Sequence, residues 1–328
     1  MKTIVFFNNQ GGVGKTSLVY HLAWMYSDLG LSVVAADLDP QANLTSMFLD
    51  DDTIEELWPD GAHPKTILGA IEPILRGTGD VSEPFVADLS DHLGLICGDL
   101  GLSTFEDKLS DAWPRCHDGD EAAFRSISAF YRKLLKAASQ RNSELVLIDV
   151  GPNLGAINRA AILSAEHVVI PLAPDLFSLQ GLKNLGPKLN EWRSQWEERL
   201  KKKPRQLPLP SAAMVPAGYV LMQHSVRLDR PTKAFERWAT RVPGVYRESV
   251  LNQPSQKEVP MAKDPFLLFM LKHFRSLMPM AMDARKPIFH LLPADGAIGS
   301  HYEAVQRCRK DFRTLAETIA ARCGIALP

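Results

Sequence analysis

The chain has 328 residues, of which 45% are hydrophobic and 23% are charged, a balance typical of folded globular proteins. A chain of this length buries roughly 75% of its unfolded surface, so core size is no limitation. No apolar run reaches the ~18 residues of a membrane span, and the start lacks the long apolar stretch of a signal peptide. We therefore expect a cytoplasmic protein without stable membrane association.

The net charge of −1 conceals an uneven distribution of charged residues. Residues 1–140 hold 10 Lys and Arg against 21 Asp and Glu, whereas residues 141–328 hold the remaining 27 and 17. The basic second half favours an anionic partner, although solvated charged faces alone also produce such a pattern.

Short aliphatic runs alternate with longer helical patterns along the chain. Most of the runs lack polar alternation, as expected of strands buried on both faces. The predicted strands are 3–7, 32–37, 93–97, 144–149, 167–172, 218–222 and 287–292. The predicted helices are 15–29, 122–139, 179–200, 232–240 and 302–321. This order predicts an α/β fold with a doubly wound, mostly parallel sheet flanked by helices.

The segment GGVGKTS follows the first predicted strand and opens the first predicted helix. Glycines let the backbone approach a ligand closely, and the N–H groups at a helix N-terminus attract anions. Lys15 can reach the β- and γ-phosphates, while the Thr16 hydroxyl can ligate Mg²⁺. The segment predicts a nucleotide-binding phosphate loop whose contacts are Gly11, Gly12, Val13, Gly14, Lys15, Thr16 and Ser17.

Three aspartates follow predicted strands and are the candidate metal and water-positioning residues. Asp149 ends a strand, where a carboxylate can face a phosphate-bound Mg²⁺. Asp37 and Asp39 are two residues apart, so both project to the same side if the strand continues. A strand-end aspartate that merely caps a turn is the alternative for Asp149.

The loop and four further stretches resemble the ParA/MinD family of ATPases, whose deviant phosphate loop is written KGGxGK[ST]. The other stretches are VVAADLDPQANLTSMF, LGLICGDLGLSTFEDKLS, LVLIDVGPNLGAINRAAILSAEHVVIPLAPDLFSLQGL and the C-terminal KPIFHLLPADGAIGSHYEAVQRC. The resemblance implies one P-loop ATPase domain over residues 1–328, with elaborations around 50–90 and 200–285. It also implies that ATP and Mg²⁺ are bound and that ATP is hydrolysed to ADP and phosphate.

The resemblance also implies roles for individual residues. Asp39 would orient the attacking water, Asp37 would lie nearer the Mg²⁺, and the 151–155 loop would respond to the γ-phosphate. The adenine would lie against the loops after the late strands, at Gln223 and the 293–295 turn that begins with Pro293.

Gln10 departs from the family pattern, because the family has a lysine there that reaches the partner's nucleotide in an ATP-bound homodimer. Glutamine keeps a hydrogen-bond donor but loses the charge. Three outcomes stay open: slow hydrolysis in a long-lived dimer, replacement of the lysine by another cation such as Arg159, or loss of dimerisation.

The resemblance to the ParA branch implies a partition or positioning switch that binds DNA nonspecifically. A cargo- or centromere-binding protein would stimulate the hydrolysis, and the ATPase would associate with the nucleoid. The DNA-binding candidates are Lys201, Lys202, Lys203, Lys233, Arg237 and Arg241. Two alternatives remain at this point, a MinD-like membrane-associated regulator and a nucleotide-dependent ligase on the same scaffold.

Overall fold

The computed structural model describes residues 1–224, 226–227, 230–231, 233–253, 259–272, 274 and 276–328, and the side chains of residues 223–235 lie outside that description. Ten strands run through the described residues: β1 Lys2–Phe6, β2 Val33–Asp37, β3 Ala87–Ser90, β4 Leu93–Ile96, β5 Leu145–Asp149, β6 His167–Leu172, β7 Val215–His224, β8 Val226–Arg227, β9 Arg230–Pro231 and β10 Leu267–Lys272.

Thirteen α-helices occur in the same described residues. They are α1 Lys15–Asp28, α2 Asn43–Phe48, α3 Asp51–Leu57, α4 Ile67–Arg76, α5 Phe105–Arg115, α6 Glu121–Ile127, α7 Ala129–Arg141, α8 Ala156–Leu163, α9 Leu176–Leu200, α10 Lys233–Ala239, α11 Val242–Val245, α12 Leu277–Asp283 and α13 Ser300–Cys323. Short 3₁₀ turns include Ile288–His290 and Pro293–Asp295.

Eight strands form one sheet in the order β10-β7-β6-β1-β5-β2-β4-β3. Every pairing is parallel except that of β3 with β4 at one edge. All five residues of β2 and of β5 are buried, because helices cover both faces of the sheet. The predicted fold class, a doubly wound and mostly parallel α/β sheet, is therefore confirmed.

The order of the strands determines which polar residues lie close together at the edge of the sheet. β1 lies at the centre of the sheet between β5 and β6, and β5 lies between β1 and β2. Because parallel strands all end at the same edge, the segments that follow β1, β2, β5 and β6 meet there. Ligands of open α/β sheets bind at this carboxyl edge.

The predicted strand at 287–292 is wrong. Prolines flank this apolar run, and its centre forms the 3₁₀ turn Ile288–His290, where Ile288 and Phe289 pack into the core beside α1 and α13. The strand at that edge of the sheet is instead β10, which pairs with β7. A proline lacks the N–H that a sheet ladder needs, and this favours a buried turn over a strand.

Two predicted helices also differ from the structure. The predicted helix 122–139 is divided at Ser128, whose hydroxyl donates to the Phe124 carbonyl at 2.7 Å and ends α6. The helix predicted to begin at 179 begins at Leu176, because the Asp175 carboxylate accepts the Ser178 N–H and caps α9. Residues 50–90 form α3, α4 and the antiparallel strand β3.

Candidate functional site

The phosphate loop connects β1 to α1 at the carboxyl edge of the sheet. Gly12 and Gly14 have φ angles of 75° and 84°, in the left-handed region that a Cβ disfavours. Gly14 is the residue before the first turn of α1, so the N-terminus of that helix opens onto the loop. Backbone N–H groups at a helix N-terminus and the helix dipole make this position favourable for a phosphate.

Lys15 and Asp149 link the phosphate loop to the end of β5. Lys15 Nζ lies 3.5 Å from Asp149 Oδ1, and both side chains are buried. Burial raises the pKa of Asp149, while the Lys15 ammonium and a hydrogen bond from Thr16 oppose that rise. A buried ammonium beside a loop of backbone N–H groups is suited to neutralise a triphosphate.

Asp37 and Asp149 lie side by side because the register of β2 and β5 pairs these two residues. Burial and the neighbouring Asp149 carboxylate raise the pKa of Asp37 to about 7. Thr45 donates both its N–H and its hydroxyl to Asp37 Oδ2 at 2.8 Å, and these bonds partly offset the cost of burial. Asp37 therefore ties β2 to α2 as well as carrying charge.

Asp39 lies in the turn after β2 rather than in the strand. Its carboxylate accepts the Gln41 N–H at 3.0 Å, and its N–H donates to Asp37 Oδ1 at 3.3 Å. The residue is only 5% exposed. Asp39 Oδ1 also lies against Gly151, where an added Cβ would be 3.2 Å from it. The structure thus brings Asp37, Asp39, Asp149 and Lys15 together at one edge of the sheet.

The oxygen donors at this edge suit a hard cation such as Mg²⁺. Asp149 Oδ2 is buried and finds no hydrogen-bond partner among the described residues. No group of three or more His, Cys, Asp or Glu side chains in the described part of the chain is arranged to hold a metal by itself. Mg²⁺ is usually bound by one or two carboxylates together with phosphate oxygens and water. Thr16 and Asp149 therefore fit a phosphate-bound Mg²⁺ and not a free-standing metal site.

Gln10 is held within its own chain by the N-terminus of α9. Its side-chain oxygen accepts the Ser178 hydroxyl at 2.6 Å, and its Nε2 lies 3.4 Å from Asp175 Oδ2. A lysine at this position could pair with Asp175 but could not accept the hydroxyl of Ser178. Both the oxygen and the nitrogen of the Gln10 side chain are therefore engaged within this chain.

Arg159, the predicted substitute cation, is engaged inside the fold. Its guanidinium lies over the Trp113 ring, 4.1 Å from the ring centroid, and its Nη2 donates to the Leu109 carbonyl at 3.5 Å. Burial lowers the pKa of Arg159 to about 10. These contacts join α8 to α5 rather than presenting a cation to a second molecule.

An apolar cavity of about 130 Å³ adjoins the phosphate loop. It opens beside Gly14 and Ser17, and His21 and Lys272 also line it. The rest of its wall is apolar and is formed by Leu18, Met222, Leu271, Phe274, Met278 and Phe312. Pro293 is exposed and is not among its lining residues. The side chain of Gln223 lies outside the described residues, although its backbone belongs to β7.

The predicted basic residues occupy two separate segments. Lys201, Lys202 and Lys203 are exposed just after α9. Lys203 lines a cavity with Thr3 and Glu166, so this group lies at the amino edge of the sheet, opposite the phosphate loop. Arg241 lies beyond the helix that carries Lys233 and Arg237, because α10 ends at Ala239.

Arg237 and Arg241 nevertheless lie close together. Both are exposed, and their guanidiniums lie 4.8 and 5.1 Å from the centroid of the Trp238 ring. The side chain of Lys233 lies outside the described residues.

Several residues at this edge of the sheet were not predicted from the sequence. Glu106 caps α8, Thr45 binds Asp37, and Ser178 binds Gln10. Ser178 has a local signal only as part of the cap of α9, because an Asp followed three residues later by Ser is a common start of a helix. The contacts of Glu106 with Ala156 and of Ser178 with Gln10 join residues 50 and 168 positions apart, and such separations leave no periodic pattern.

No helix in the described part of the chain is long and apolar enough to cross a membrane. A family model described as an AAA domain matches residues 1–202, more than half of the chain.

Protein IncC of Escherichia coli is 29% identical over 186 residues, which cover 56% of this chain and 44% of IncC. A ParA family protein of Chlamydia muridarum is 29% identical over 187 residues, which cover 56% of this chain and 64% of that protein. The match to the first curated relatives thus spans about half of their length.

The solved structure of protein DIP2308 from Corynebacterium diphtheriae has a similar fold, with a TM-score of 0.73 and 23% sequence identity. The likeness covers 98% of each chain. It therefore extends over the region beyond residue 202, which the family model does not match. From the matched family model, its relatives and the geometry of the phosphate loop, the chain belongs to the ParA/MinD family of P-loop ATPases.

Proposed function

We propose that this chain binds ATP with Mg²⁺ at the phosphate loop and hydrolyses ATP slowly to ADP and phosphate. The observation that carries the proposal is the buried Lys15–Asp149 pair beside two glycines in the left-handed region at the start of α1. The loop N–H groups and Lys15 bind the phosphates, Asp39 orients the attacking water, and Thr16 and Asp149 hold the Mg²⁺, with Asp37 behind Asp149. The ion supplies charge neutralisation on the phosphate oxygens.

The apolar cavity beside Gly14 supports a site for the adenine base. Aromatic and methionine side chains give a flat base dispersion contacts without demanding a charge. Met278 lies against the hydroxyl of Ser17, so the cavity is continuous with the phosphate loop. A Met278→Trp substitution fills the cavity and should weaken ATP binding while leaving binding of inorganic triphosphate unchanged. Equal weakening of both ligands would place the base elsewhere.

The chain would act as an ATP-dependent homodimer in the partition or positioning of DNA or another cargo. This part rests on membership of the ParA/MinD family and on the names of the curated relatives, one of which is a ParA family protein. Because Gln10 is bonded to Asp175 and Ser178 in its own chain, we propose that it does not replace the trans-acting lysine. Slow hydrolysis follows, since a cation supplied in trans accelerates phosphoryl transfer by about 10³-fold or more.

Molecular mass measured by light scattering tests this switch with ATP, with ADP and without nucleotide. We expect dimers of the wild-type chain with ATP only, and faster hydrolysis in the dimer formed by Gln10→Lys. If the wild-type chain stays monomeric with ATP while Gln10→Lys dimerises, residue 10 has disabled the dimer.

Nonspecific DNA binding is proposed for the cluster formed by Arg237, Trp238 and Arg241. An aromatic ring with two exposed guanidiniums close to it offers both phosphate contacts and a stacking surface. If six phosphates are contacted, log K against log salt should have a slope of about −5. Replacing Arg237 and Arg241 by Gln should reduce that slope by about 2, whereas replacing Lys201 and Lys202 by Gln is the control at the opposite edge of the sheet.

A cargo- or centromere-binding protein would complete the cycle by stimulating hydrolysis. The protein encoded beside this chain in its genome is the partner to test. Stimulation of ATP turnover by that protein, enhanced by DNA, supports the partition function. Turnover that responds only to a small carboxylic acid would instead support a ligase on this scaffold.

A further inference from the structure

The 151–155 loop lies between the phosphate loop and α5. It begins directly after β5, where Gly151 faces the Asp39 carboxylate. Pro152 is exposed and lies against Gly11 of the phosphate loop, where an added Cβ would be 4.0 Å from the proline ring. The loop therefore touches both the water-orienting aspartate and the phosphate-binding backbone.

The other end of the loop is fixed by a carboxylate from a different helix. Gly155 precedes α8 and offers no side chain to cap it. Glu106, in the first turn of α5, accepts the N–H of Ala156 at Oε1 (2.5 Å) and the N–H of Ile157 at Oε2 (2.9 Å). A carboxylate that accepts two N–H groups at a helix N-terminus makes charge-assisted bonds and also favours the helix dipole.

The atoms around the Glu106 carboxylate are closely packed. A Cβ on Gly155 would lie 2.7 Å from Glu106 Oε1 and 2.9 Å from Asn153 Oδ1. Asn158 then closes the loop from inside α8, because its side-chain amide donates to the carbonyls of Gly151 (2.8 Å) and Asn153 (2.6 Å). The loop and the first turn of α8 are thus one bonded unit, and Glu106 is the contact that joins this unit to α5.

We propose that Glu106 is a positioning residue that couples the 151–155 loop to α5, so that nucleotide binding alters α5 through this carboxylate. This inference rests on the proposed function, in which the loop responds to the γ-phosphate. When the loop moves, the N–H groups of Ala156 and Ile157 move with it, and a carboxylate bonded to both must either follow or lose both bonds. The α5 helix, which carries Glu106, is then the first element outside the site to change.

Hydrogen–deuterium exchange with and without ATP tests the coupling in the full chain. Two isosteric variants are compared, Glu106→Gln and its exposed neighbour Asp107→Asn, which removes the same charge from the same turn. In Glu106→Gln the side-chain amide meets a backbone N–H, so one of the two bonds is lost. We expect ATP to alter exchange in both 151–163 and 105–115 in the wild-type chain and in Asp107→Asn. In Glu106→Gln the response of 105–115 should fall about fivefold or more while that of 151–163 persists.

Further readouts separate coupling from a loss of folding. The ATP affinity of Glu106→Gln should stay within about twofold of wild type, because the residue lies outside the phosphate loop. The loss of ATPase activity should be confined to kcat. Glu106→Asp keeps the charge and should restore part of the α5 response.

An α5 response that survives Glu106→Gln, or that disappears equally in Asp107→Asn, would overturn the coupling. An α5 segment that does not respond in the wild-type chain, although 151–163 does, overturns it as well. If ATP changes exchange nowhere in the wild-type chain, the proposed function itself fails.

Discussion

Two loops flank the nucleotide site, and they are anchored by different chemistry. The start of the phosphate loop is held mainly by side-chain amides. The Asn8 amide donates to the Pro171 carbonyl, and the Gln10 amide accepts the Ser178 hydroxyl and lies 3.4 Å from the Asp175 carboxylate. The 151–155 loop ends at a charged anchor, Glu106, which binds two backbone N–H groups of α8. Neutral hydrogen bonds contribute about 1 kcal/mol each and charge-assisted bonds about twice that. The phosphate loop thus relies on several weaker amide contacts, whereas the 151–155 loop combines the Asn158 amide bonds with one carboxylate that accepts two N–H groups.

The difference suits the tasks that we propose for the two loops. A loop that must bind every incoming nucleotide in the same way gains from many contacts, because losing one changes its geometry little. A loop that must report the state of the nucleotide gains from a single contact, because that contact breaks or moves as a unit. The four substitutions below test this contrast.

Lys15→Ala should produce the largest effect, because Lys15 belongs to the phosphate loop and pairs with Asp149 at the end of β5, just before the 151–155 loop. We expect ATP affinity to fall by at least about 100-fold, since the loss of a buried ammonium leaves Asp149 unpaired beside the phosphates. Fluorescence anisotropy with a labelled ATP analogue measures the affinity, and Lys183→Ala on the exposed face of α9 is the control. Unchanged ATP binding in Lys15→Ala would contradict the phosphate-loop assignment.

Gly155→Ala should break the charged anchor without touching the phosphate loop. The new methyl group would lie 2.7 Å from Glu106 Oε1, so the carboxylate must leave the N–H groups of α8. We expect a loss of about 2 kcal/mol in the free energy of unfolding, measured by urea denaturation. Gly244→Ala is the matched control, because an added Cβ there meets no atom within 4 Å. Equal stability of the two variants would show that Glu106 contributes nothing as a cap.

Lowering the pH should protonate His21 and so disrupt an uncharged hydrogen-bonded contact on the phosphate loop's side of the site. It lies on α1, its Nδ1–H donates to the Ser17 carbonyl at 2.7 Å, and its Nε2 accepts the Ile288 N–H at 3.2 Å. Burial lowers the pKa of His21 to about 4, with a smaller contribution from His290 and an opposing one from Ser17. Below pH 6.5 the unfolded chain binds a proton at this residue, whereas the folded chain stays neutral until about pH 4.

The His21 contribution to stability is therefore complete above pH 6.5 and is lost as the pH falls towards 4. At pH 5 the loss should amount to about 2 kcal/mol. Urea denaturation of the wild type and of His21→Gln, each at pH 7 and at pH 5, measures the contribution of His21 to the free energy of unfolding. Identical pH dependence in the two proteins would show that His21 does not remain neutral in the fold.

Gln10→Ala should have the smallest effect, because the phosphate loop keeps its other neutral contacts. We expect a loss of about 1 kcal/mol in the free energy of unfolding and an ATP affinity within about threefold of wild type. Ser178→Ala, which removes the donor to the same amide, should give a similar loss, and the double variant should lose less than the sum. A fully additive double variant would mean that the two side chains do not interact in solution.

The central strands and the phosphate loop were predictable because their causes are local. Parallel strands buried on both faces leave continuous apolar runs, so β2, β4, β5 and β6 lie within one residue of their predicted bounds. The glycines of the phosphate loop are close together in the sequence and line one binding site. Asp149 was predictable for the same reason, because it directly ends an apolar strand.

The anchors were not predictable, because each joins distant parts of the chain. Gln10 and Asp175 are 165 residues apart, and Glu106 and Ala156 are 50 apart. The last strand was misplaced for a related reason, since both 267–272 and 287–292 are apolar, and they differ in the prolines that flank 287–292 and in the pairing of 267–272 with β7. The roles of Asp37 and Asp39 at the metal and the water remain predictions, although the structure places both beside Asp149.

Trp113 on α5 is a candidate intrinsic fluorescence probe of this helix. The guanidiniums of Arg159 on α8 and Arg199 on α9 lie 4.1 and 4.2 Å from the centroid of its ring. It also stacks on Trp196, with the two rings 5.9 Å apart and 11° from parallel. Indole emission responds to nearby charge, and the chain has six tryptophans, so the difference in emission between the wild type and Trp113→Phe isolates the signal that depends on α5 and α8.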